Sequence, residues 1–169
     1  MADALVFRLV SEARSGQPLD AALPAGTYYV GDPCYVLDAA TLTALSDLVF
    51  PPTADGGYGV RDVHVVSALA AGGVAHAVVF RTAHGDGGYF LRRPDGTTAR
   101  CGVDSGGLAV IDTRLCRDGN GVTFGALVEL AGPTAVRVEG HNLAIGAGTR
   151  LLTNADPDNP DSYDEDDDG

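Results

Sequence analysis

Side chains able to do chemistry gather in three short Gly-Asp turns of this 169-residue chain. Gly31-Asp32-Pro33-Cys34-Tyr35-Val36 carries a carboxylate, a thiol and a phenol. His84-Gly85-Asp86-Gly87-Gly88-Tyr89 carries an imidazole, a carboxylate and a second phenol, and Val103-Asp104-Ser105-Gly106-Gly107 a carboxylate and a hydroxyl. Asp32, Asp86 and Asp104, joined by His84, are the donor types that hold a hard divalent cation or work as an acid/base pair. The metal candidates are therefore Asp32, Asp86 and Asp104, and a divalent cation is the cofactor they would take. The wider ligand-binding set is Asp32, Cys34, Tyr35, His84, Asp86, Tyr89, Asp104 and Ser105. Taken singly, each Asp reads equally as a residue that caps its own turn while glycine supplies the positive φ. It is the repetition that points to a shared site.

Three narrower chemistries fare less well. A nucleophilic Cys34 with His84 as base needs positive charge beside the thiol, whereas its near neighbour in sequence is Asp32; the residue reads as packed. Gly85-Asp86-Gly87-Gly88 lacks the GxGxxG spacing and the following helix of a phosphate cradle, and reads instead as a hairpin connection between residues 78–81 and 89–92. The Asp-Ser-Gly-Gly of the third turn resembles the serine motif of chymotrypsin-like proteases. Those enzymes spread their triad over two barrels, for which the chain is too short. Ser105 with the Gly106 and Gly107 amides could still bind an anionic group.

The elements that must position these residues are mostly strands. Residues 27–30 and 78–81 are β-prone runs that enter the first two turns, and 108–111 leaves the third. Short runs at 60–67, 73–82, 88–93, 97–103, 108–112, 135–139 and 149–152 alternate with Gly-rich turns, and Phe124, Ala126, Val128 and Leu130 recur at period 2. Residues 3–10 read as a strand or short helix, 11–26 as a polar turn-rich stretch, and 34–37 as extended chain. One helix is expected over 39–49, with Asp38 as its N-cap, apolar residues at Leu42, Leu45, Leu48 and Val49, and Pro51-Pro52 as its stop. The expected class is mainly β (α+β), an antiparallel β-sandwich or partly open barrel with one helix near 39–49. Residues 1–154 read as a single domain and 155–169 as a disordered acidic tail.

Composition removes several classes. There is no lysine, which excludes a Walker-type phosphate lysine and lysine-based covalent catalysis. Three cysteines without a CxxC pair give neither a disulfide framework nor a zinc site. The net charge of −12 is concentrated at one end: eight acidic residues lie between Asp156 and Asp168, leaving about −4 on the rest. The arginines are scattered rather than arrayed as a basic stripe, with Arg92-Arg93 and Arg100 the one local hint of positive charge, so nucleic acid is not the expected partner. No secretory signal and no apolar run of membrane-spanning length is evident, so a soluble cytoplasmic protein is expected.

The three turns in order resemble the motifs of a loosely defined set of small uncharacterised bacterial and phage proteins, which carry Gly-Asp-Pro-Cys-Tyr-Val, then Gly-Asp-Gly-x-Tyr, then Val-Asp-Ser-Gly. Here these stand at Gly31 to Val36, Gly85 to Tyr89 and Val103 to Gly106. The resemblance spans about residues 27–112 and implies a shared site or a shared core geometry, with no particular activity. The expected function is a small soluble binding module for a small molecule or protein partner, its site built from the Gly-Asp turns. The alternative is a metal-assisted hydrolase using the Asp/His cluster, in which the metal lowers the pKa of a bound water.

Overall fold

Among the described residues twelve strands form, most of them on period-2 apolar runs, and the pattern of burial shows how they are layered. The computed structural model describes residues 6–14, 17–49, 61–70, 73–82, 87–104, 107–116 and 121–153. In chain order the strands are β1 (Phe7–Arg14), β2 (Leu19–Leu23), β3 (Gly26–Gly31), β4 (Arg61–Ala70), β5 (Gly73–Arg81), β6 (Gly87–Arg92), β7 (Thr98–Val103), β8 (Gly107–Asp112), β9 (Ala126–Leu130), β10 (Thr134–Glu139), β11 (Asn142–Ile145) and β12 (Thr149–Leu151). The helix α1 (Ala39–Val49) follows β3. Two six-stranded antiparallel sheets result, ordered β1-β4-β5-β8-β3-β9 and β2-β10-β11-β12-β6-β7. The sheets do not close into a barrel, so of the two architectures expected the sandwich is the one formed.

The first sheet is buried on both faces at its centre. Tyr28, Val30, Val78, Phe80, Leu108 and Val110 face the second sheet, where Tyr89, Leu91, Cys101, Val136, Val138 and Leu143 complete the inter-sheet core. The opposite faces of the same strands carry Tyr29, Ala75, Ala77, Val79, Ala109 and Ile111, packed with Leu45 and Val49 of α1. Small alanines on this side let the helix approach closely. That two-sided burial is why β8 is buried at every residue and reads as a continuous apolar run rather than an alternation.

Several elements differ from expectation for local reasons. β1 runs on to Arg14, and a bulge at Val10 between the pairs Leu9↔Val66 and Ser11↔Val65 shifts its side-chain phase. Phe7 thereby packs under the helix while Ala13 joins the inter-sheet core. β2 and β11, only five and four residues long, fall in stretches not expected to be strands. Residues 33–35 form a 3-10 turn rather than extended chain. Phe124 ends a 3-10 helix (Gly121–Phe124) and stands outside the strand whose period it shares. The helix has its expected bounds, with Asp38 Oδ1 accepting from the Thr41 amide at 2.7 Å. The residue 94–96 turn is held by Asp95, whose Oδ1 accepts from the Thr97 amide at 2.9 Å and from its hydroxyl at 2.6 Å.

The largest correction concerns the second turn. β5 belongs to the first sheet and β6 to the second, so the chain between them crosses the sandwich and is not a hairpin. The third turn crosses back, from β7 to β8. Strand registers place all three turns at one end of the sandwich: Gly31 of β3 lies opposite Ala109, Arg81 of β5 opposite Gly107, and Gly87 of β6 opposite Val103. Among the described residues no helix is long and apolar enough to cross a membrane. The acidic tail lies outside the described residues.

Candidate functional site

Asp32 joins the first turn to the third. Its carboxylate is fully buried; Oδ1 accepts from the Cys34 amide at 2.8 Å and Oδ2 from the Asp104 amide at 2.7 Å. The first bond caps the 3-10 turn, in which Pro33 supplies a preset φ at the first position. The second clamps the end of β7 to the end of β3 across the sandwich. The Asp32 carbonyl accepts from the buried Tyr29 hydroxyl at 3.0 Å. Gly31 is required here by close approach: a Cβ would stand 2.4 Å from the Tyr29 hydroxyl oxygen. Gly125 meets the same ring from the other side, where a Cβ would stand 2.4 Å from the Val30 carbonyl oxygen and 2.6 Å from Tyr29 Cε2. Cys101 ties the sheets again, its thiol donating to the Val30 carbonyl at 3.3 Å.

Outward of this clamp lies a small open platform. The Tyr35 ring stacks on Phe124 with centroids 4.5 Å apart and planes at 21°. Phe124 is 53% exposed, and Tyr35 and Cys34 are half-buried. Gly88 and Gly102 oppose each other on β6 and β7, and their missing side chains leave room for neighbouring groups to lie over the outer surface of the sheet. The Arg100 guanidinium fills the space over Gly88, with Nε and Nη2 both 2.5 Å from where a Cβ would sit. Arg100 Nη1 and Tyr35 Cε2 each come to 3.9 Å of the corresponding point over Gly102. Asp104 is exposed at the margin. Desolvation raises the Tyr35 pKa most, followed by the negative charges of Asp104, Cys34 and Asp32, with Arg100 opposing them. Tyr35 therefore remains a protonated donor at neutral pH. The platform offers a planar apolar surface, a guanidinium and a carboxylate within one small area.

The candidate residues separate on this geometry. Asp32, Cys34, Tyr35 and Asp104 come together, Asp32 beneath the surface as the clamp. Tyr89 alternates inward and is buried in the inter-sheet core, away from the platform. His84, Asp86 and Ser105 lie outside the described residues. Among the described residues no group of three His, Cys, Asp or Glu side chains converges as metal ligands do. Both Asp32 oxygens are engaged by amides, so a cation there would compete with two charge-assisted hydrogen bonds. Phe124 and Arg100 complete the platform without having been singled out as ligand residues. A signal for Arg100 was present in the two glycines inside strand patterns, which mark close approach to a backbone; nothing local announced Phe124.

Burial pushes the Cys101 and Cys116 thiols up to about 12. His141 Nδ1 lies 2.9 Å from the Arg81 carbonyl. A separate apolar concavity of about 550 Å³ lies between the start of β1, the adjoining ends of β4 and β5, and Leu48. No protein-family model, curated protein or solved structure matches the chain.

Proposed function

We propose that this protein is a non-enzymatic binding module whose ligand site is the platform formed where the first and third Gly-Asp turns meet. The observation that carries this reading is the exposed Tyr35–Phe124 stack set beside Arg100 on a glycine floor. An exposed aromatic surface loses free energy in water unless something covers it, and a guanidinium next to it adds recognition of a carboxylate or phosphate. The matching ligand is a planar small molecule or protein side chain carrying an anionic group. Asp32 serves this site as a positioning residue, holding the strand ends that carry Tyr35 and Arg100. The three motifs in order support kinship with the small bacterial and phage proteins they resemble.

The test is ligand-observed NMR with a panel of aromatic carboxylates and nucleoside monophosphates, together with their uncharged amide and nucleoside counterparts. Binding should weaken about tenfold in Phe124→Ala, the loss expected when an aromatic contact of about 1–2 kcal/mol is removed. Arg100→Gln should lower affinity for the anionic members alone. Equal binding by the wild type and both variants would refute the placement of the site. Metal-assisted hydrolysis through Asp32, Asp86, Asp104 and His84 is the competing reading. No observation among the described residues favours it, because Asp32 presents no lone carboxylate oxygen.

A further inference from the structure

Three large apolar side chains that the fold leaves in water stand together at one end of the first sheet. Val6, Leu69 and Val74 are 81%, 73% and 51% exposed. All three line the concavity of about 550 Å³ between the start of β1, the adjoining ends of β4 and β5, and Leu48 of α1. That is the volume of a small-ligand site. Strand register sets out its surface. Leu69 of β4 and Val74 of β5 are direct cross-strand partners. Ser67, two residues before Leu69 and on the same face of β4, lies opposite Arg8 of β1. A guanidinium and a hydroxyl thus stand one step along the sheet, about 7 Å, from an apolar pair. Phe7, Leu9 and Leu48 carry the apolar lining on towards the helix.

The charge of the lining narrows the occupant. Arg8 is its one charged residue and Ser67 the one other polar side chain. Arg114 and Arg137 are matched by carboxylates, whereas among the described residues Arg8 forms no ion pair. A guanidinium takes a carboxylate in a two-pronged grip, and with no further donor or acceptor side chain in the lining the body of the ligand has to be hydrocarbon. A second copy fits poorly, because a two-fold contact through this surface would set each Arg8 against a lining without a carboxylate. A bilayer fits poorly as well, since anionic membranes are held by clusters of basic residues and not by one. The concavity is also remote from the Tyr35–Phe124 platform. Along β5, Val74 lines the concavity and Arg81 reaches the three turns, about 23 Å of strand away.

We propose that this concavity binds a free medium-chain fatty acid, its carboxylate on Arg8 and Ser67 and its alkyl chain over Leu69, Val74, Val6 and Leu48. The chain takes out of water the apolar surface that the fold itself leaves uncovered, which drives the binding. The guanidinium decides which end of the ligand lies where. The site is independent of the platform and stands or falls separately.

The experiment is titration calorimetry on the full chain with octanoate, decanoate and dodecanoate, each below the concentration at which it forms micelles, and with the matching straight-chain alcohols. Affinity should rise about fourfold for each methylene added, until the concavity is full. Arg8→Gln should weaken the carboxylates about fivefold, as the loss of an exposed ion pair requires, and leave the alcohols unchanged. Leu69→Ser should weaken both series about fivefold. Both side chains are exposed, so thermal midpoints should show the two variants folded. Phe124→Ala should change nothing, which separates this site from the platform. Affinity that ignores chain length, equal losses for acids and alcohols in Arg8→Gln, or full binding in Leu69→Ser would overturn the proposal. Self-association abolished by Leu69→Ser would overturn it by making a second copy the occupant. Co-sedimentation with phosphatidylglycerol vesicles, lost in the same variant, would do so by making a bilayer the occupant.

Discussion

Removing the Asp32 carboxylate is the sharpest probe of how the three turns are held. Its two oxygens accept from amides of the first and third turns at 2.8 and 2.7 Å, and the side chain has no exposure to water. Each bond to a charged acceptor contributes about 1.5–3 kcal/mol, and a buried amide left without a partner costs about 1–3 kcal/mol. Asp32→Ala should therefore destabilise by about 3–5 kcal/mol, a large share of the 5–15 kcal/mol typical of a domain. For a chain of this size that is a fall of about 6–20 °C in Tm. Asp32→Asn keeps one acceptor and sets an NH2 against the other amide, so about 2–3 kcal/mol should be lost. The chain has six tyrosines and no tryptophan, so urea unfolding is followed by tyrosine fluorescence and circular dichroism. The control is Asp104→Ala, whose exposed side chain goes while its amide still donates; the cost should stay within about 0.5 kcal/mol. If Asp32→Asn proves neutral, or if Asp104→Ala costs as much as Asp32→Ala, the clamp does not work as described.

Other outcomes follow from the same geometry. Gly31→Ala should lose about 1–3 kcal/mol in urea unfolding, because its Cβ would press on a fully buried tyrosine held by its own hydrogen bond. Gly132→Ala, with nothing within 4 Å of the new methyl, should leave stability nearly unchanged. At pH 8 a disulfide reagent should modify Cys34 in the folded protein and leave Cys101 and Cys116 untouched until denaturant is added, since burial holds those two thiols protonated. The same shifts set an alkaline limit. The folded thiols ionise near 12 and the unfolded ones near 9, so stability that is complete below pH 9 should be lost progressively as pH rises from 9 towards 12. A thermal midpoint that stays level across that window would contradict the burial of Cys101 and the partial burial of Cys116.

Local interactions made much of this protein legible in its sequence. Asp38 caps α1 from three residues away, Asp95 closes its own turn, and the period-2 runs became strands because their signals involve neighbours along the chain. The reading of Asp32 as a turn cap was equally local and accounts for one of its two oxygens. Residues far apart in sequence decided the rest. The second oxygen serves an amide 72 residues away. The Gly-rich link after β5 could have closed a hairpin on turn chemistry alone; the chain crosses to the other sheet because β5 already has β4 and β8 on its two edges. Phe124 matched a strand period and left the strand to stack on Tyr35. Arginines that looked scattered along the chain stand on adjoining strands because β12 pairs with β6, 58 residues apart at Arg150 and Arg92. Turn and helix preferences are paid within a few residues, whereas strand partners are chosen by the burial of whole faces, and that choice belongs to the assembled sandwich.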